Sequence, residues 1–202
     1  MRALVKLGGS VITRKEAEGS VNEEALERLC RELAEAWRRG VELVVVHGGG
    51  SFPHPVAERF RVYEGLRSGS LHELRGFALT NDAAARLNRL VVAQLLKAGP
   101  PAVGLQPSAM MMARGGAVEK VFTEALECML KLRLIPVLYG DAVMDAERGF
   151  SIASAESIIG SLAPILKPER IVLCVDVDGV YDRYPGGTLV RRVWSGNIEE
   201  VR

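Results

Sequence analysis

Short, almost entirely apolar runs alternate along the chain with longer segments in which apolar residues recur every three or four positions. An apolar run that ends in a glycine turn or a polar loop is typical of a strand buried on both faces of a sheet. The pattern predicts five such strands, at 3–7, 41–47, 102–105, 134–139 and 171–175.

The segments between these runs have the spacing of amphipathic helices. The first helix is predicted to begin after Asn22, a residue type that often caps helices, and to end at Gly40. Further helices are predicted near 56–60 and at 71–98, 121–132 and 154–163, and a hairpin at 143–152. Pro164 is expected to end or kink the last helix. Strands that alternate with helices predict one α/β domain, an open, mostly parallel sheet sandwiched by helices.

Composition and charge exclude several classes of protein. The chain has 202 residues, 26 Lys and Arg against 25 Asp and Glu, and a net charge of +1, so we expect neither a nucleic-acid nor a membrane-surface partner. The apolar runs are too short to span a bilayer. Three widely spaced cysteines predict thiols in a reducing cytoplasm. Few amide side chains are one tendency of thermophile proteins, and Arg greatly outnumbers Lys, although a GC-rich genome also favours Arg.

Two glycine turns follow predicted strands and are the strongest chemical feature. Gly8-Gly9-Ser10 follows the first strand, and Gly48-Gly49-Gly50-Ser51 follows the second. Ligands of open α/β sheets bind at these carboxyl ends, and glycine lets backbone N–H groups approach phosphate oxygens. One such turn is as often structural as functional. Two turns, one beside Lys6 and the other beside His54, favour a phosphate-handling site.

The charged side chains near these turns each allow a second interpretation. Lys6 lies in an apolar strand, where it needs an anionic partner unless its ammonium group reaches solvent. Lys15 lies in a polar loop and by itself would be a surface lysine. His47 at a strand end is more often structural, whereas His54 between two prolines is well placed to bind an anion. Three histidines without ligand spacing predict no metal site in the protein.

Asp176 and Asp178 follow the last predicted strand. Two carboxylates at this position could orient a nucleotide, a lysine or Mg²⁺, or they could hydrogen-bond the backbone of their own turn. The calcium-loop, Walker and dinucleotide-binding patterns are all missing from the sequence. A phosphate-handling enzyme with this sequence must therefore be of another type.

Taken together, the first turn with Lys6, the second turn with Phe52 and His54, and the segment 176–181 resemble the amino acid kinase family. The stretch Gly49-Gly50-Ser51-Phe52-Pro53-His54-Pro55 is similar to the branch that phosphorylates isopentenyl phosphate. The resemblance runs through nearly the whole chain. It implies a three-layer α/β/α fold and ATP-dependent phosphorylation of a small phosphate monoester, giving isopentenyl diphosphate in isoprenoid biosynthesis.

The resemblance also implies roles for particular residues. The catalytic residues would be Lys6, Lys15 and His54. The nucleotide would be held by Lys6, Gly8, Gly9, Ser10, Gly50, Asp176 and Asp178. The substrate would be held by Gly48, Gly49, His54 and Ala155. The cofactors would be ATP and Mg²⁺, and a homodimer would be the default assembly. An apolar pocket for the isoprenoid tail is expected at Leu79, Leu87 and Val91.

The sequence departs from the family pattern in three places. Pro53 replaces a glycine, which removes an N–H group from the phosphate loop. Ala155 and Glu156 replace a glycine and an aspartate, and the longer Glu156 side chain could misplace the active-site lysines. The last C-terminal units of the family are missing, so we expect a single domain with a substrate-binding part at 1–150 and an incomplete nucleotide-binding part at 151–202.

These departures leave three hypotheses open. The chain could be an active kinase for isopentenyl phosphate. It could be a shortened kinase-like protein that binds phosphate or nucleotide with little or no turnover. It could also be a related kinase that acts on a phosphonate or an amino-acid substrate.

Overall fold

The computed structural model of the chain describes residues 1–183 and 185–194. The strands are β1 (Arg2–Leu7), β2 (Glu42–His47), β3 (Ala102–Gly104), β4 (Met111–Arg114), β5 (Ala117–Val121), β6 (Ile135–Tyr139), β7 (Asp141–Asp145), β8 (Gly149–Ala153), β9 (Arg170–Cys174), β10 (Val180–Tyr181) and β11 (Leu189–Val190). The helices are α1 (Gly9–Ile12), α2 (Glu23–Arg38), α3 (Pro53–Phe60), α4 (Leu71–Ala98), α5 (Glu124–Lys131) and α6 (Ala155–Leu166).

A five-stranded parallel sheet forms the middle layer, in the order β3-β6-β2-β1-β9. Its strands are the five predicted apolar runs. Successive side chains of β1 point to opposite faces, so Val5 packs into one buried cluster with α2 and α4, and Leu4 packs into another with α5 and α6. Helices therefore cover both faces, which confirms the predicted three-layer α/β architecture.

The helix boundaries follow local capping chemistry. The Asn22 side chain accepts a hydrogen bond from the Ala25 amide at the start of α2, and Ser70 accepts one from the Glu73 amide at the start of α4. Helix α4 ends at Gly99, whose φ of +115° suits glycine. Helices α2 and α4 match their predicted ranges closely. Among the described residues, no helix is long and apolar enough to cross a bilayer.

A second, four-stranded sheet has the order β5-β4-β7-β8. The β7–β8 pair is the predicted hairpin, but the β4–β5 hairpin was not predicted. Its turn consists of Gly115 and Gly116, both with positive φ, a conformation that tightens a two-residue connection. The predicted helix at 121–132 is wrong at its start, because Val121 belongs to β5 and α5 begins at Glu124.

Helix α6 runs past the proline that was expected to stop it. Pro164 lies inside the last turn, and the helix continues to Leu166 before Lys167 takes a left-handed conformation with φ of +46°. The Ser154 side chain accepts a hydrogen bond from the Ser157 amide and caps the other end. This cap holds the first turn of α6 at the carboxyl end of the central sheet, next to Gly140.

Candidate active site

A cavity of about 680 Å³ opens at the carboxyl ends of the central strands. Eleven of the twelve predicted site residues line it, and the exception is Asp178. The eleven are Lys6, Gly8, Gly9, Ser10, Lys15, Gly48, Gly49, Gly50, His54, Ala155 and Asp176. Because β1 and β2 are parallel neighbours with Leu7 opposite His47, their two glycine turns emerge side by side.

The two glycine turns touch each other through their backbones. A Cβ atom on Gly9 would lie 2.4 Å from the Gly50 nitrogen, and one on Gly48 would lie 2.7 Å from the Gly9 nitrogen. Both distances are far below van der Waals contact, so only glycine allows this approach. The close packing is the structural reason for the glycines. It also brings the two turns to one wall of the cavity.

Lys6 points from β1 into the cavity and forms an ion pair with Glu156 at the first turn of α6. The Lys6 side chain is only 12% exposed, which contradicts the alternative of a solvated ammonium group. Burial opposes ionisation of Glu156, but the Lys6 hydrogen bond and charge, together with hydrogen bonds from its own backbone amide and from Ser154, lower the pKa of that carboxyl. The longer glutamate side chain therefore does reach the lysine.

Lys15 lies across the cavity mouth and binds Asp176, with 3.0 Å between Nζ and Oδ2. The hydrogen bond from Lys15 and one from Ser10 lower the pKa of Asp176. Both side chains are well exposed, and an exposed ion pair of this kind contributes only about 0–1 kcal/mol. Lys15 is therefore free to exchange this carboxylate for a bound phosphate at little energetic cost.

His54 is exposed in the cavity on the first turn of α3, whereas His47 is completely buried behind the second glycine turn. The His47 Nδ1–H donates to the Gly48 carbonyl at 3.0 Å, and Nε2 accepts from the Asn88 amide at 3.2 Å. Burial lowers the pKa of His47 to about 4, so the ring is neutral. His47 is structural, as its position predicted, and His54 is the histidine available to a ligand.

Two of the predicted nucleotide-binding residues need correction. The Gly8 amide donates to the Cys174 carbonyl at 2.9 Å, so it is committed to the sheet and cannot bind a phosphate. Asp178 accepts a hydrogen bond from the Tyr181 hydroxyl at 3.2 Å and lies outside the cavity lining. A carboxylate two residues beyond Asp176 was expected beside it, but the chain turns there towards β10.

The predicted tail pocket is also wrong. Leu87 and Val91 are fully buried in the core between α4 and the sheet, and Leu79 is 42% exposed elsewhere on α4. The apolar wall of the cavity comes instead from other positions on α3 and β8, such as Ala57 and Ile152. Helical periodicity identified the buried face of α4 but not the position of the cavity along the helix.

Asp141 is a cavity residue that the sequence reasoning did not assign. It is 1% exposed and accepts hydrogen bonds from the Asn81 side chain and from the amides of Ser108 and Ala142, at 2.8–3.0 Å. Burial raises the pKa of Asp141 to about 6, although these hydrogen bonds oppose the shift. Its position directly after a buried strand was the available signal.

Comparison with known proteins agrees with this geometry. Residues 1–201 match the profile of the amino acid kinase family. Isopentenyl phosphate kinase from Methanothermobacter thermautotrophicus is 40% identical over 189 residues, which cover 90% of this chain and 70% of that protein. The enzyme of the same name from Methanocaldococcus jannaschii is 33% identical over 208 residues, covering 100% of this chain and 78% of that protein.

Solved structures give the same result. A crystal structure of isopentenyl phosphate kinase has a TM-score of 0.87 at 37% identity, covering 94% of this chain and 81% of that one. The product complex of the T. acidophilum isopentenyl phosphate kinase has a TM-score of 0.77 at 29% identity, covering 92% of this chain and 74% of that one. The chain therefore belongs to the amino acid kinase family.

Proposed function

We propose that this chain transfers the γ-phosphoryl group of ATP to isopentenyl phosphate, giving isopentenyl diphosphate and ADP. The observation that carries the proposal is the convergence of two glycine turns, Lys6 and His54 on one cavity. The similar proteins from Methanothermobacter and Methanocaldococcus carry the name of this activity, which supports the choice of substrate.

The reaction needs positioning and charge stabilisation rather than a general base. An ionised phosphate oxygen of isopentenyl phosphate attacks the γ-phosphorus of ATP, and the bond from that phosphorus to the β,γ-bridging oxygen breaks. The electron pair leaves on the terminal phosphate of ADP. Lys6 lines the same cavity as the two turns and would stabilise the charge on the transferred group, with Lys15 approaching from the loop.

The acceptor side of the cavity would hold the substrate phosphate. His54 donates a hydrogen bond to the phosphate, which is stronger when the ring is charged, and Gly48 and Gly49 allow the phosphate close to the backbone. Ala155, at the start of α6, closes this side. The hydrocarbon tail would lie against Ala57 and Ile152, the apolar part of the wall.

The nucleotide side would use Gly9, Ser10, Gly50 and Asp176 around the ATP phosphates. Mg²⁺ in phosphoryl-transfer sites is commonly held by phosphate oxygens and water with one or two carboxylates. In the part of the chain that the structure describes, no group of three potential metal ligands occurs, and Asp176 fits the role of a single carboxylate beside the phosphates. When bound, the ion would neutralise charge on the β- and γ-phosphates.

The assay that tests this function is ADP release with Mg-ATP and isopentenyl phosphate, run beside acetylglutamate and a small phosphonate. We expect turnover that depends on isopentenyl phosphate and is at least about tenfold slower with acetylglutamate, because His54 favours a phosphorus oxyanion over an acylamino-acid carboxylate. Turnover with only acetylglutamate or only the phosphonate would show that this compound, and not isopentenyl phosphate, is the acceptor. No turnover together with measurable ATP or isopentenyl phosphate affinity would favour the binding-only hypothesis.

The remaining features of the proposal concern the whole protein. We infer a homodimer in the cytoplasm of a thermophile, with residues 1–150 holding the acceptor and 151–202 contributing to the nucleotide site together with the first glycine turn. The exposed Cys128 thiol agrees with a reducing compartment. Sedimentation velocity tests the dimer, and a thermal unfolding midpoint above about 80 °C would support the thermophile origin.

A further inference from the structure

The Thr13 hydroxyl lies between the two glycine turns. Its Oγ1 donates to the Gly9 carbonyl at 2.7 Å and accepts from the Ser51 amide at 3.0 Å. Gly9 belongs to the turn after β1, and Ser51 belongs to the turn after β2. One oxygen atom therefore hydrogen-bonds both turns, and the residue that carries it is only 3% exposed.

The surrounding packing leaves this hydroxyl little room to move. A Cβ atom on Gly50 would lie 2.1 Å from Thr13 Oγ1 and 2.8 Å from its Cγ2, so both atoms of the threonine fill the space against that glycine. The main chain of Thr13 is fixed as well, because its amide donates to Gly9 at 3.0 Å. The hydroxyl is held from three sides.

Thr13 also stands at the base of the loop that carries Lys15. Arg14 donates its amide to the Ser20 carbonyl at 3.0 Å, and Thr13 forms a bridge with Val21, so the loop is closed at its base. The Ser51 hydroxyl donates to the Ser20 carbonyl at 3.1 Å. A shift of Thr13 would therefore move both turns and the Lys15 loop relative to one another.

We propose that Thr13 is a positioning residue whose hydroxyl sets the separation between the nucleotide-side turn and the acceptor-side turn. The inference rests on the proposed function, in which those turns hold the two phosphates that react. A displacement of about 1 Å between reacting groups can lower a rate by about 100-fold. The affinity for isopentenyl phosphate alone depends on the second turn, and the affinity for ATP alone depends mainly on the first turn, with Gly50 as its one contact from the second. Removal of the hydroxyl should therefore lower kcat more than it weakens either binding step.

The test compares three variants under conditions where each is folded. Thr13→Val keeps the shape and removes the hydroxyl, Thr13→Ser keeps the hydroxyl, and Ser151→Ala removes another buried hydroxyl, on β8, outside the cavity. We measure kcat and KM with Mg-ATP and isopentenyl phosphate, the Kd of each ligand alone by calorimetry, and hydrogen exchange in the peptide that contains Ser51.

The expected result is a kcat about 10–100-fold lower for Thr13→Val, with each Kd within about threefold of wild type and faster exchange at Ser51. Thr13→Ser should recover kcat to within about threefold, and Ser151→Ala should match wild type. A Thr13→Val variant with normal kcat, or a Thr13→Ser variant as slow as Thr13→Val, would overturn the positioning role.

The two proposals fail in different ways. If wild type does not phosphorylate isopentenyl phosphate, the proposed function fails and this inference fails with it. If wild type is active but the valine and serine variants behave alike, only the role of Thr13 fails. An equal loss of kcat in Ser151→Ala would mean that the loss of any buried hydroxyl disturbs the fold. That result would also overturn the positioning role of Thr13.

Discussion

Lys6 illustrates how a single buried charge is kept available for chemistry. Its ammonium group is largely removed from water and needs an anionic partner, which Glu156 supplies from α6. The glutamate itself is 63% exposed, so it can swing towards solvent when a phosphate oxygen takes its place. We propose that this ion pair stabilises the Lys6 ammonium group in the ligand-free protein and opens when a phosphate binds.

We expect Lys6→Ala to lower kcat by about 10²–10³-fold, because one positioned donor to the transition-state charge typically contributes that much. Lys97→Ala is the matched control, since Lys97 lies exposed near the end of α4, outside the cavity. Steady-state ADP release checks both variants. Near-normal turnover in Lys6→Ala would remove Lys6 from the chemistry.

For His54→Ala we expect KM for isopentenyl phosphate to rise about 10–100-fold, with a smaller change in KM for ATP. The loss of a hydrogen bond to a charged group corresponds to about 1.5–3 kcal/mol, which gives that range. His72→Ala is the control, because the His72 ring packs against Phe60 in a tilted contact outside the cavity. If both variants show the same KM, His54 does not bind the acceptor.

Asp141 makes stability depend on pH in a direction opposite to that of an ordinary surface carboxylate. Burial raises its pKa from 3.8 to about 6, so the folded protein binds the proton more tightly than the unfolded chain. The protonated form therefore contributes stability below about pH 4, and this contribution is lost as the pH rises through 6. At low pH, the raised pKa of Asp141 contributes at most about 3 kcal/mol to the free energy of unfolding.

Asp141→Asn cannot titrate and isolates this effect. Urea denaturation measures the free energy of unfolding of both proteins at pH 4 and pH 7. We expect the value for wild type, relative to that for Asp141→Asn, to fall by about 2 kcal/mol between these pH values. Other carboxylates titrate in both proteins, so their contributions cancel. A difference that stays constant or increases with pH would contradict the raised pKa.

Among single residues, the site members that could be predicted were those of a type unusual for their sequence context. Lys6 in an apolar strand and His54 beside a glycine turn were recognisable and line the cavity. Asp178 and Gly8, whose amide donates to the Cys174 carbonyl, could not be told apart by sequence from neighbouring residues that do line the cavity with polar groups available to a ligand. Their roles depend on where the chain turns and which carbonyl lies opposite, and the Cys174 carbonyl is 166 residues away along the chain.

At the scale of elements, α3 shows how the chain accommodates Pro53. The residue lies at the first position of the helix, where a backbone N–H has no partner within the helix, and φ near −65° suits it. Its ring also packs over the second turn, since a Cβ atom on Gly49 would lie 2.3 Å from Pro53 Cγ. The proline therefore stiffens the acceptor loop but removes one donor from it.

Pro53→Gly should separate these two effects. We expect the free energy of unfolding to fall by about 1 kcal/mol, because glycine makes the unfolded chain more flexible. KM for isopentenyl phosphate should fall about 2–10-fold if the restored amide donates to the phosphate, a bond of about 0.5–1.5 kcal/mol. Pro168→Gly, before β9, is the control and should change stability alone. An increase in KM for Pro53→Gly would contradict this account of the loop.

Strands and long helices were predictable because their patterns are local. The apolar runs correspond to the central strands, and α4 has its predicted limits, Leu71 to Ala98. The β4–β5 hairpin was missed because its strands are short. The alternation of buried and exposed positions in β4 covers only the four residues from Met111 to Arg114, which is too few to stand out in the sequence. The Gly115-Gly116 pair was its one clear signal.

At the scale of the whole molecule, the parallel sheet explains why distant motifs form one site. All five central strands point the same way, so the turns after β1 and β2 and the start of α6 meet at one edge. Two separate cores, one on each face, hold that edge rigid. The site is therefore a consequence of topology, which the alternation of strands and helices predicted before any motif was considered.

Detection of the product itself is the sharpest test of phosphoryl transfer by this protein. Wild type and Lys6→Ala are incubated with Mg-ATP and isopentenyl phosphate, and isopentenyl diphosphate and ADP are quantified by mass spectrometry. We predict equimolar formation of both products by wild type and at least about 100-fold less by the variant. ADP without isopentenyl diphosphate, or equal product from both proteins, would contradict phosphoryl transfer at this site.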